Sequence, residues 1–168
     1  SGAVEGGEKI GIKFSFKGPK KWVQDLKYSF EGSFLAVGSH DCNIYLYDVA
    51  SGYDAKTTRI LKAHSSYITH VDFGLHLVGP EETYDEKKGK ITIHDVTGKD
   101  PSREVDIKDA KDRIVLRSTC GAYELLFWSA LSGKRIKFAS TLRDAWWATL
   151  TCPFGWGVQG IWPAGADG

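Results

Sequence analysis

Apolar and polar residues alternate in short segments along this chain, and Gly, Asp, Ser and Pro punctuate them every few positions. In residues 9–16, Ile10, Ile12 and Phe14 alternate with polar or small neighbours, the period of a half-buried strand. Residues 22–28, 34–39 and 43–49 read as three further strands, the last three being separated by SFEGS and HDC, which both carry turn chemistry. No helical period is sustained, so the pattern predicts an all-β chain.

Four strands within about 45 residues is the spacing of a propeller blade. The pattern then recurs: residues 59–62 and 68–73 read as the first two strands of a second unit, and 114–118 and 124–128 as its last two. Aligning SHDCNIYLYD (39–48) with CGAYELLFWS (120–129) matches the apolar positions and sets Tyr47 opposite Trp128. Residues 75–112 stand where the first unit has a tight turn. Within 81–113 there are ten acidic and eight basic residues, a composition of solvated surface. KITIHDV at 90–96 alternates cleanly and predicts an inserted charged hairpin, held by Ile91, Ile93 and Val96 and dispensable to the blades. The expected organisation is a first blade unit over 9–53, a second over 54–133 with its insertion at about 75–112, and the start of a third over 134–168. Antiparallel four-stranded blades in an incomplete ring would leave apolar end faces open.

Charge and composition narrow the function. Lys plus Arg number 22 against 21 Asp plus Glu, a net charge of +1, which gives no general field for nucleic acid or an anionic membrane. No apolar run approaches the roughly 20 residues of a membrane span, so the chain reads as soluble. Cys42, Cys120 and Cys152 are odd in number and widely spaced, which excludes a disulfide framework or zinc knuckle and favours a reducing, intracellular compartment. The sequence opens on SGAVEGGEK and contains no Met, as expected of an internal fragment.

Residues 155–160, GWGVQG, match G-x-G-x-x-G, but Pro153 and Pro163 flank them where a dinucleotide site needs a strand and a helix; a glycine-rich turn is expected, with a nucleotide-binding enzyme fragment as the remote alternative. His40, His64, His70, His76 and His94 show no ligand spacing joined to Cys or carboxylate, so no metal site is expected. Ser39, His40 and Asp41 are adjacent, which points their side chains in alternating directions on a strand, and no G-x-S-x-G elbow occurs. The expectation is therefore no catalytic residue, no cofactor and no enzyme. Lys17, Lys20 and Lys21, in KGPKK, form the most basic short cluster, and their turn should emerge on the same rim as His40.

The stretch Ser39-His-Asp41-x-x-Ile44-x-Leu46-Tyr47-Asp48 resembles the end of a WD repeat, with Tyr47 in the usual Trp place. WVQDLKYS, FLAVGSHD, IYLYDV, AHSSYITHVDF, GAYELLFW and WATLTCPFGWGVQGIWP are similar, in this order, to the second propeller of the echinoderm microtubule-associated protein-like family. The resemblance implies a partial WD-repeat β-propeller whose role is protein–protein scaffolding and binding of tubulin or microtubules, in the cytoplasm on the cytoskeleton. The rest of the propeller would lie outside this chain. It further implies a structural polar cluster drawn from Ser39, Asp41, Tyr47, His64 and Trp128, with Gly18 or Pro19 in the His place of the first unit and Ala122 and Cys120 in the Asp and Ser places of the second. The expected protein-binding rim is Lys17, Lys20, Lys21 and His40. A WD-repeat adaptor in signalling or ciliary transport, without tubulin contact, is the alternative.

Overall fold

The computed structural model describes residues 18–79, 81–95, 97 and 101–153; the expected strand at 9–16, Lys17, Val96 and the glycine-rich 155–160 lie outside them. The chain is all-β, with no α-helix among the described residues, and consequently no helix long and apolar enough to cross a membrane.

The first sheet comprises β1 (Val23–Tyr28), β2 (Phe34–Ser39), β3 (Asn43–Asp48) and β4 (Arg59–Lys62), antiparallel and in that spatial order. β2 is buried along its whole length because it is flanked by strands on both edges and covered on both faces, which suits its unbroken FLAV run. The sequence pattern grouped residues 59–62 with the second unit. They instead pair with β3 as the outer strand of the first sheet, Leu46 facing Arg59 and Ile44 facing Leu61.

The second sheet is built the same way from β5 (Ile68–Leu75), β9 (Ile114–Cys120), β10 (Leu125–Ser129) and β11 (Arg135–Ile136), with β12 (Trp146–Trp147) added beside β5. Residues 135–136, read as the opening of a third unit, are likewise an outer strand, paired with β10. β5 and β9 pair from Ile68 opposite Cys120 to Leu75 opposite Ile114, in one unbroken register from His70 onward, although residues 76–113 intervene. β1 and β5 both carry an irregularity in register near their start, between Val23 and Asp25 and between Ile68 and His70. The two sheets are thus copies of one unit, successive blades of a partial propeller.

Between them lies the main core, which includes Phe34, Ile44, Leu46 and Leu61 from the first sheet and Ile68, Val71, Phe73, Leu116 and Trp128 from the second. Each large apolar side chain removed from water contributes about 1.5–3 kcal/mol. Gly38 permits the close approach: a Cβ there would stand 2.6 Å from Ile68 Cγ2. Polar groups fix the register of one blade on the next. Asp25 accepts from the Val71 N–H at 2.9 Å while the Lys27 ammonium donates to the Val71 carbonyl at 2.8 Å, so two side chains extend the sheet hydrogen bonding across the blade boundary. Lys27 also reaches Thr151 Oγ1 at 2.6 Å and the Asp72 carboxylate at 3.6 Å.

The charged insertion is a three-stranded antiparallel sheet, β6 (Glu82–Asp85), β7 (Lys90–Ile93) and β8 (Arg103–Asp106), rather than a hairpin. It is docked, not merely tethered. Ile91, Ile107 and Ala110 are buried against Leu75 of β5, with Phe30 of the first blade and Trp146 packed on the same cluster. Glu82 accepts from Arg113 at 2.6 Å and from the Val78 N–H at 2.8 Å, which fastens both ends of the insertion together.

Candidate protein-binding rim

The segment ahead of β1, the β2–β3 turn, the β4–β5 loop and the β9–β10 turn all emerge at one edge of the two sheets, at the end of β1 away from Phe30. Asp41 organises the first half of this rim. Its carboxylate accepts from the Lys20 N–H at 2.9 Å, the Tyr45 hydroxyl at 2.7 Å and the Asn43 N–H at 3.2 Å. Burial alone would raise the Asp41 carboxyl, but these hydrogen bonds together hold it below the usual carboxylate range. Burial first, and then the hydrogen bond to Asp41 with that group's charge behind it, pushes the Tyr45 hydroxyl up to about 12. Ser39 accepts from the Asp41 N–H at 3.3 Å and lies 3.5 Å from the Lys21 carbonyl, to which its hydroxyl donates. The two lysines are therefore placed by their backbone, and their ammonium groups extend from a fixed base.

An aromatic ladder runs beside them. His40 stacks on Tyr67 at 4.8 Å and meets Trp22 at 5.8 Å, while its Nε2 lies 3.0 Å from Gln24 Oε1. Trp22 is 80% exposed and Tyr123, across the rim, is also 80% exposed. Lys20, Lys21, Trp22 and His40 line one shallow depression, so three of the four expected rim residues lie together. Tyr123 sits at φ 62°, and Cys42 at the matching place in the first blade sits at φ 68°, a left-handed conformation that costs a residue with a Cβ about 1–2 kcal/mol.

Under the rim, the second blade carries a polar brace. The Trp128 indole N–H donates to Ser118 Oγ at 2.8 Å, Ser118 lies 2.7 Å from His64 Nε2, and His64 Nδ1 lies 3.1 Å from Glu124. Glu124 also accepts from the Ser65 N–H at 2.9 Å, the Ser65 hydroxyl at 2.8 Å and the Cys120 thiol at 3.2 Å. The Ser65 N–H and hydroxyl, followed by Cys120, hold the Glu124 carboxyl down at about 2. Burial lowers His64, against a smaller opposing pull from Glu124. The neutral ring then satisfies every partner, with Nδ1–H donating to Glu124 and Nε2 accepting from Ser118. In the first blade, Tyr47 is fully buried and its hydroxyl lies so close to Gly18 that any side chain there would strike it.

The family of WD domains with the G-beta repeat matches residues 11–48. Echinoderm microtubule-associated protein-like 2 of Rattus norvegicus is 36% identical over 148 residues, 87% of this chain and 17% of that protein. Echinoderm microtubule-associated protein-like 1 of Homo sapiens is 34% identical over 145 residues (85% of this chain, 13% of that protein). The 77 kDa echinoderm microtubule-associated protein of Strongylocentrotus purpuratus is 34% identical over 144 residues (85% and 16%). The chain belongs to the echinoderm microtubule-associated protein-like family of WD-repeat proteins.

Within this WD-repeat chain, two brace positions differ from the sequence alignment. The hydroxyl that joins His64 to Trp128 comes from Ser118, not from the place of Cys120, and the acid comes from Glu124, not from the place of Ala122. Ser39 and Cys120 do occupy equivalent turn positions, since the carbonyl of each accepts from the left-handed residue, Cys42 at 3.3 Å and Tyr123 at 3.0 Å. The bridging hydroxyl must instead stand two residues earlier on the central strand, where the first blade has Val37: Ser118 pairs with Leu126 as Val37 pairs with Tyr45. A sequence signal existed in Arg-Ser-Thr at 117–119, polar residues inside a strand buried at every position, because buried polar groups require partners. Ser118, His64 and Glu124 follow the order of a nucleophile, base and acid. Ser118 is fully buried and already receives the Trp128 N–H, so no substrate reaches it and the trio is a brace.

Proposed function

We propose that this chain supplies a non-enzymatic protein-binding face of a microtubule-associated scaffold, and that the face is the rim of Lys20, Lys21, Trp22, His40, Tyr67 and Tyr123. The partner is an acidic protein surface, that of tubulin in microtubules, and the site of action is the cytoplasmic cytoskeleton. The observation that carries the reading is the juxtaposition of two lysines with an exposed Trp22 and a stacked His40–Tyr67 pair on a braced edge. Exposed aromatic groups beside basic ones suit a contact with an apolar anchor and an acidic rim. The names of the relatives support the microtubule as partner; the chain spans 17%, 13% and 16% of the lengths of the three compared.

Reversing both charges with Lys20→Glu and Lys21→Glu is expected to weaken cosedimentation with microtubules by roughly 2- to 30-fold, from about 0.2–1 kcal/mol for each exposed pair. The effect should shrink as the screening length falls to about 8 Å near physiological salt. Adding a Lys17 reversal tests the third lysine of the turn. Unchanged pelleting at every salt concentration moves the contact to another face. A chain that stays in solution even at low salt, yet binds another acidic protein through these lysines, is a general WD-repeat adaptor.

Tyr123 separates binding from stability. Tyr123→Gly relieves the left-handed backbone at φ 62° and is expected to leave the denaturant midpoint unchanged or raise stability by up to about 1 kcal/mol. The same change removes an exposed aromatic from the rim and is expected to weaken binding. Lower stability with unaltered binding would make Tyr123 a packing residue.

A further inference from the structure

Three metal-binding side chains meet just beneath the rim. His64 from the β4–β5 loop, Cys120 from the end of β9 and Glu124 from the β9–β10 turn bring Nδ1, Sγ and a carboxylate oxygen within 4.8 Å of one another. Glu124 Oε2 is 3.1 Å from Nδ1 and 3.2 Å from Sγ. Ligand atoms around a tetrahedral zinc ion stand about 3.3–3.8 Å apart, given bonds of 2.0–2.3 Å, so the two separations from Oε2 need open by only tenths of an ångström and the third, Nδ1 to Sγ, lies within 4.8 Å. We propose that His64, Cys120 and Glu124 form a site for a thiophilic divalent metal ion of the zinc type.

The chemistry of the donors selects that class. A thiol and an imidazole disfavour magnesium and calcium, which take oxygen ligands. Both hydrogens at the centre of the cluster, on Nδ1 and on Sγ, point at the same carboxylate oxygen, and a dication would replace them. The Cys120 proton leaves to solvent and the imidazole proton shifts to Nε2, where Ser118 Oγ at 2.7 Å accepts it. Ser118 then holds the ring as an outer-sphere partner that fixes its orientation. The brace between Trp128 and Glu124 is complete without Cys120, so the thiol adds a soft donor that the brace does not require. Access exists on the Glu124 side, whose side chain is 33% exposed. Ser65 beside it is also exposed, which leaves the fourth position to water.

Cobalt(II) titration of the whole chain tests this, because thiolate ligation gives intense charge-transfer absorption that oxygen and nitrogen ligands do not. One equivalent should develop the band and zinc should displace it. Cys42→Ser should retain the band, Cys120→Ser should abolish it, and Glu124→Gln should weaken binding at least about 10-fold, each with an unchanged circular dichroism spectrum. A measurement without variants guards against misfolding: zinc should protect Cys120 from alkylation, read by mass spectrometry, and leave half-exposed Cys42 reactive. Absence of a thiolate band, or a band and protection that follow Cys42, overturns the proposal.

Discussion

Asp72→Asn is expected to destabilise the chain by about 3–5 kcal/mol, the cost of breaking a buried ion pair from one side. Asp72 is fully buried on β5, and one carboxylate oxygen accepts from Arg117 Nε at 3.1 Å and Nη2 at 3.0 Å, and from the Cys152 N–H at 2.8 Å. The other accepts from the Thr149 hydroxyl, the Thr151 hydroxyl at 2.7 Å and the Thr151 N–H at 3.2 Å. An amide of the same shape turns one acceptor into a donor facing other donors, and leaves the Arg117 guanidinium buried without its counter-charge. Arg117 also lies over the Trp147 ring at 4.5 Å, so the loss spreads to β12. Burial would raise the Asp72 carboxyl, but the Thr149, Cys152 and Thr151 hydrogen bonds outweigh it and hold it well below the usual range. A depressed carboxyl stabilises fully above its unfolded value, about 3.9, and loses that contribution as pH falls through the folded value. The wild-type chain should therefore lose stability below about pH 4 by a component that Asp72→Asn lacks. The double variant Asp72→Asn with Arg117→Met should recover part of the loss in urea melts; strict additivity would mean that the two groups do not act as a pair.

The legibility of the chain followed the range of the interactions. Alternation within FLAVGS and NIYLYD, and the short SHDCN turn between them, are local properties, and β2 and β3 fall where the pattern put them. Pairing is not local. Residues 59–62 read correctly as a strand, but nothing in four residues states which sheet they join. Asp72 and Arg117 each interrupt an apolar strand pattern as if at random, and only the β5–β9 register across residues 76–113 reveals them as partners. The rim was partly readable because Lys20, Lys21 and His40 sit in turns flanking β1 and β2. Tyr67 and Tyr123 come from the next blade, so their place beside His40 depends on how two sheets pack. The brace hydroxyl was misplaced for a related reason: sequence alignment matched turn to turn, while the hydrogen bond runs from the middle of β9.

Excising residues 76–113 and closing β5 to β9 with a short Gly/Asn turn is expected to cost several kcal/mol, contrary to the dispensable hairpin that charge composition suggests. The cost comes from the underside of the insertion. Ile91 and Leu75 are fully buried, Ile107 and Ala110 nearly so, and their removal or exposure uncovers Phe30 and Trp146, which now pack edge-on at 4.9 Å. Truncating one such side chain, Ile91→Ala, should by itself lower stability by about 2–5 kcal/mol, and the lost loop-closure entropy of a shorter connection returns only about 0.6 kcal/mol per halving of length. Charged positions on the outer face should behave differently. Lys90 and Glu104 pair at 2.6 Å but both side chains remain in contact with water, so reversing either should leave the urea midpoint close to that of the wild type. Urea denaturation of the excised chain, Ile91→Ala and Lys90→Glu distinguishes the two faces. An excised chain with the wild-type midpoint would show that β5 and the first blade close over the gap unaided; a loss confined to the first two variants would show that the insertion, despite its acidic and basic exterior, completes the core at the end of the blades opposite the rim.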